Sequence, residues 1–174
     1  GLNWANGPYV VAQNKGAFLE VPSFLEEQHT IESREDADAY LARLEAYAGQ
    51  LDGETGRLQS AAEQGVIAPD FVLDKTLAQL RMARGGIVET WPLIASFTRK
   101  TAALQGDYTR QAAKVAVEKI VPAMSRQLAE LEKHRTRATG DAGVWKLPDG
   151  EAYYAWALRA STTTPMTPQE IHDR

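Results

Sequence analysis

Tyr153-Tyr154, Arg159 and Thr162-Thr163-Thr164 put two phenols, a guanidinium and three hydroxyls on one short stretch. Such groups can donate to and accept from a peptide backbone, and the guanidinium can pair with a carboxylate. These six positions are the candidate substrate-binding residues. The plainer alternative is a packed aromatic helix followed by an ordinary extended linker. Other residues capable of chemistry are scattered. The histidines are His29, His134 and His172, and none opens a His-Glu-x-x-His zinc motif. His134 sits in the charged run Glu132-Lys133-His134-Arg135 and is expected on a helix surface. Glu26-Glu27, Glu35-Asp36 and Glu130/Glu132 are expected to be caps and surface charge rather than paired catalytic acids. Ser96, Ser125 and Ser161 lie outside any Gly-x-Ser-x-Gly setting, and Arg84-Gly85-Gly86 lacks the Lys-Ser/Thr of a phosphate loop. No catalytic residue and no metal ligand is assigned within the chain.

The elements that must position these groups are helical. Residues 1–30 carry turn signals at Asn6-Gly7-Pro8, Asn14-Lys15-Gly16 and Val21-Pro22-Ser23. That stretch is expected to be irregular, laying Tyr9, Val10, Phe18 and Leu25 over another surface as short turns of helix or extended chain. Ser33-x-x-Asp36 approximates a capping box. After it Tyr40, Leu44, Tyr47, Leu51, Leu58 and Ala62 keep one 3.6-residue stripe, predicting a long helix that ends at Gly65. Gly53 and Gly56 weaken its middle by ~1 kcal/mol each relative to Ala.

A second helix runs from Pro69-Asp70 to Gly85-Gly86, and a third starts at Thr90-x-Pro92 and reaches Leu104. Tyr108 to about Ala138 reads as helix, with Val117, Ile120, Val121, Met124, Leu128 and Leu131 on one face and a kink or break at Pro122. Thr139 to Gly143 is a loop and Leu147 to Gly150 a turn. Glu151 to Arg159 is a short helix, and Thr162 to Pro165 is expected to be extended. The fold class is therefore all-α: an antiparallel helical array, an irregular N-terminal segment and a short extended piece near the C-terminus.

At 174 residues this is a single helical domain. A hydrophobic fraction of 44% supports a sizeable core. A net charge of -4, with bases interleaved among acids, gives no nucleic-acid groove. No apolar run approaches the ~18 residues of a membrane span. With no cysteine there is no disulfide and no thiolate site. Thr167-Pro168-Gln169-Glu170 is a capping box with Pro at the first helical position, and it stands close to Arg174. A one-turn helix bears its nucleation cost without propagation. The expectation is therefore that the helix continues in a longer parent and that this chain is an N-terminal fragment. Its partner would be the remaining C-terminal part or a copy of itself.

The segment GVWKLPDGEAYYAWALRASTTTPMTPQEIH resembles a stretch of a large bacterial family of uncharacterised, often lipoprotein-designated proteins, catalogued as a domain of unknown function and similar to gluzincin-type zinc metallopeptidases. The segments GPYV, Gly16-Ala17-Phe18 with Pro22-Ser23-Phe24-Leu25, and Ala42-Arg43-Leu44 resemble that family's N-terminal half. The resemblance implies a mostly helical, zinc-dependent peptidase-like parent of periplasmic or cell-envelope location. Its His-Glu motif, ending in Gly-His-His, would lie downstream of this chain. It implies no cofactor here, zinc in the parent, and a peptide substrate lined by Tyr153, Tyr154, Arg159 and the threonines. The alternative is a helical protein- or peptide-binding module without enzymatic activity.

Overall fold

The computed structural model describes residues 7–162, 164 and 166–173. The chain is all-α; among the described residues the sole extended pairing is an isolated antiparallel bridge between Ala12 and Lys15. Helix α1 spans Ala17–Glu27, α2 Arg34–Glu63, α3 Asp70–Arg84 and α4 Pro92–Lys100. Helix α5 spans Tyr108–Val115, α6 Val121–Arg137, α7 Gly150–Thr162 and α8 Pro168–His172.

Helix α2 follows from its sequence. Ser33 accepts from the Asp36 amide and the Asp36 carboxylate accepts from the Ser33 amide, closing the capping box. The helix then runs unbroken through Gly53 and Gly56. Its stripe of Tyr40, Leu44, Tyr47, Leu51 and Leu58 is buried. Arg126 meets Asp52 at 2.8 Å and Gln59 meets Glu130 at 3.3 Å, so α2 and α6 run parallel. Arg135 reaches Asp74 and Arg81 reaches Glu132, so α3 and α6 run antiparallel. Tyr40 stacks on Phe97 at 4.4 Å and Phe97 meets Tyr108 edge-on at 6.1 Å, which ties α2, α4 and α5 into one core.

Four expectations are corrected. The N-terminal stretch is not irregular throughout. It contains α1, with Pro22 inside it, and Phe18 and Leu25 enter this chain's own core. The signal was masked because α1 is capped from a distance. Gly16 sits at φ 132 and has no capping side chain; the Ala17 amide donates instead to Glu54 of α2 at 2.9 Å. At the other end, Lys100 of α4 donates to the carbonyls of Leu25, Glu26 and His29 at 3.2, 2.8 and 2.7 Å. A β-carbon on Gly16 would press 3.2 Å from Val11 in a left-handed backbone, so glycine is required there.

The second correction concerns the irregularity ahead of Pro122. It is a π-turn over Ala116–Ile120, and the Val121 amide bonds five residues back to Ala116. The proline removes one helical donor and crowds the preceding turn. The wider turn shifts the apolar stripe by one position. Ala116 is buried and Val117 is 54% exposed, contrary to the expected face.

The third correction is that α7 extends to Thr162, which is helical rather than extended; its hydroxyl donates to the Leu158 carbonyl at 2.7 Å. Helix α4 also stops at Lys100, short of Leu104.

Candidate functional site

The closing stretch forms α7, preceded by a 3-10 turn over Val144–Lys146. Gly150 is the one buried residue described on α7, and the turn before it is its main packing partner. Tyr153 is half-buried and lies at a tilted ring contact of 6.2 Å with Trp156. Tyr154, Arg159 and Thr162 are exposed, and Thr164 is half-buried with its hydroxyl accepting from the Met166 amide. Thr163 lies outside the described residues. Successive helical residues point ~100° apart. The two phenols therefore diverge, and Arg159 shares a face with Thr162 rather than with Tyr153. The stretch supplies hydrogen-bonding groups along an open helix surface; the predicted residues do not converge on one point.

A more enclosed arrangement lies next to it, and the sequence reading missed it. The segment from Gly7 to Gly16 crosses α2 and leaves a groove of about 460 Å³. Lys15, Glu20, Glu54 and Arg57 carry its charge, and Gln50 and Ser60 add neutral polar groups. Tyr9 lines it too, and a β-carbon on neighbouring Gly7 would come 3.9 Å from the Tyr153 hydroxyl, so α7 stands beside the groove. Glu54 is only 5% exposed. Its carboxylate accepts from the Ala17 amide and from Gln127 Nε2 at 3.1 Å. Burial pushes its pKa up, against the opposing pull of those hydrogen bonds and of the Arg57 charge. Glu20 accepts from the Gly16 amide at 3.3 Å, and Lys15 donates to the Tyr9 carbonyl at 3.0 Å. One signal could have exposed Glu54: it falls on the apolar stripe of α2, between Leu51 and Leu58. A charge at a stripe position must be buried with partners.

Expectations for His134 and Glu130 fail. His134 is not on the surface; it is 3% exposed, with Nε2 3.4 Å from the Glu130 carboxylate. Burial holds its pKa below the usual imidazole value. Glu130, expected as surface charge, is buried as well. Burial pushes its carboxyl up, but hydrogen bonds from Lys133 and Gln59 outweigh this and hold it below its usual value. His29 is buried against Tyr40; it takes a hydrogen bond from Arg43 at Nδ1 and faces the Asp36 carbonyl with Nε2. No group of three or more His, Asp or Glu side chains suited to a metal ion occurs among the described residues.

Comparison with known proteins accords with this architecture. The sequence model of a family described as "Bacterial protein of unknown function (DUF885)" matches residues 2–174. No curated protein sequence matches the chain. Among solved structures, the chain superposes on the putative lipoprotein from Colwellia psychrerythraea with a TM-score of 0.89 at 20% identity. The superposition covers 95% of this chain and 30% of that one, so the chain spans less than a third of that protein's length. At that identity the likeness is one of fold.

Proposed function

The chain belongs to the DUF885 family of bacterial proteins of unknown function, and on that premise we propose that it is the helical N-terminal portion of a larger, zinc-metallopeptidase-like envelope protein. In this reading α7 lines one wall of a substrate cleft. The observation that carries it is α7 itself: a helix rich in aromatic residues, with Tyr154 49% exposed and no core of its own among the described residues. Aromatic surface left open in this way is suited to burial by a peptide or by a further part of the protein. The family's similarity to gluzincin-type peptidases supports the peptide. The name of the Colwellia protein supports the envelope, and no helix among the described residues is long and apolar enough to cross a membrane.

Zinc does not fit the residues described, because three suitable ligands never come together among them. No catalytic step is therefore assigned to this chain; ligands and general base would lie downstream. Its own contribution is to bind and orient. Tyr154 and Arg159 offer a phenol and a guanidinium to substrate carbonyls or a carboxylate, and Thr162 adds a hydroxyl.

The test compares the 174-residue chain with the longer protein encoded by its gene. The longer protein should retain zinc and hydrolyse peptides, and Arg159→Ala should lower its kcat/KM about tenfold with zinc content unchanged. The shorter chain should do neither. Stoichiometric zinc binding and hydrolysis by the 174 residues alone would sink the reading. A longer protein that binds peptides but holds no metal would replace it with the non-catalytic binding module.

A further inference from the structure

We propose that the groove between the Gly7–Gly16 segment and α2 is a binding site for a small zwitterion of dipeptide size, its ammonium end set against Glu54 and Glu20 and its carboxylate end against Arg57. The site is built wholly from this chain and stands independently of the cleft reading.

The first argument is charge. Glu54 is 95% enclosed by the fold, yet among the described residues no lysine, arginine or histidine nitrogen lies within 4.0 Å of its carboxylate. Its hydrogen bonds come from an amide and a glutamine, both neutral. The Arg57 charge acts on it only from beyond that distance. A buried carboxylate without a contacting counter-ion is costly, and the cost is recovered when a cation reaches it. The groove is the route by which one can arrive, since Glu54 lines it. Glu20, a second carboxylate on the same wall, adds to the pull on an ammonium group.

The second argument is the opposite pole. Arg57 lies one turn further along α2, exposed and without an ion pair among the described residues. A guanidinium presents a planar fork matched to a carboxylate. A lone anion would meet the two acids, and a lone cation would meet Lys15 and Arg57. A molecule carrying both charges satisfies both poles.

The third argument is size and lining. A volume of about 460 Å³ lies within the range of small-molecule sites. Val10, Ala61 and Val66 give it an apolar side wide enough for short aliphatic side chains.

The test uses the 174-residue chain and three peptides: L-alanyl-L-alanine, its N-acetyl form and its C-terminal amide. Binding is followed by calorimetry and by amide chemical shifts. The free dipeptide should bind with saturation and shift amides of residues 9–16 and 50–64, and each blocked form should bind at least tenfold more weakly. Arg57→Ala should abolish discrimination against the amide while keeping discrimination against the acetyl form. Glu20→Gln and Glu54→Gln should do the reverse, and Glu20→Gln guards against a folding defect at the buried position. Absence of binding, equal binding of all three peptides, or equal loss in every variant would overturn the site. None of these outcomes depends on zinc or on hydrolysis.

Discussion

Helices α1 and α7 have similar lengths and similar apolar content, yet one is built into the core and the other lies outside it. Helix α1 is held at both ends by charged side chains from other helices, Glu54 at its amide end and Lys100 at its carbonyl end. Between them it buries Ala17, Phe18 and Leu25. Helix α7 carries Tyr153, Tyr154, Trp156 and Leu158, and not one of them is buried. Apolar content alone does not place a helix in a core; complementary neighbours must be available. For α1 they lie in this chain.

The largest effect that can break this contrast comes from equivalent truncations in the two regions. Leu25→Ala removes a fully buried side chain of α1 and should lower unfolding free energy by about 3 kcal/mol. Trp156→Ala in α7 should cost under ~1 kcal/mol in the same chain. Urea denaturation followed by circular dichroism measures both, and a comparable loss would mean that α7 has a packing role here.

Next in size is Lys100→Met, which keeps the aliphatic stem and deletes the three carbonyl contacts at the end of α1. A loss of about 2 kcal/mol is expected, with faster amide hydrogen exchange concentrated in α1. Uniform protection across α1 in the variant would show that its carbonyls do not need the ammonium group.

The two capping boxes sharpen the comparison further. Both are complete, at Ser33 and at Thr167. Ser33→Ala should cost about 1 kcal/mol, because α2 unfolds with the whole core. Thr167→Ala should leave the denaturation midpoint unmoved, because α8 buries nothing among its described residues. The same substitution chemistry thus reports whether a helix is coupled to the cooperative unit.

Acidity gives the smallest effect. His29 and His134 have folded pKa values below the ordinary 6.5, chiefly through burial. The unfolded state therefore binds protons more readily, and stability should fall as pH drops through 6.5. Glu54 opposes this, since its raised pKa lets the folded state take up a proton first. His134→Gln should flatten the loss as pH falls through 6.5, and Glu54→Gln should steepen the loss at the more acidic end. In the Glu54→Gln variant, a midpoint that rises on acidification would contradict the burial of these imidazoles.

Much of the fold was legible in the residues. The spacing of Tyr40, Leu44, Leu51 and Leu58 carried α2 straight through two glycines. Gly85-Gly86, Gly106 and Pro92 marked real boundaries. Helix α1 was hidden because its caps are 37 and 71–75 positions away in sequence. The burial of Val117 was misjudged because a π-turn changes the period that the stripe relies on. Of the candidate substrate residues, the phenols and the guanidinium were legible as a helix, and the ~100° step between successive residues spreads them around its axis. The groove was invisible, since its walls come from a loop and the middle of α2.

The sequence by itself determined the helical class, the extent of α2 and both capping boxes, because these depend on interactions spanning three or four residues. Tertiary structure alone decided which charges went inside. Glu130 and His134 sit in sequence contexts that resemble solvated helix faces, and Glu54 sits on the apolar stripe of α2 with no sign of its partner. Their burial depends on what the opposing helix presents, Gln127 to Glu54 and Gln59 to Glu130, and no local spacing encodes that pairing. The same holds for the aromatic helix at the end of the chain: its composition was plain from the start, and only the three-dimensional arrangement left it beside a polar groove instead of within the core.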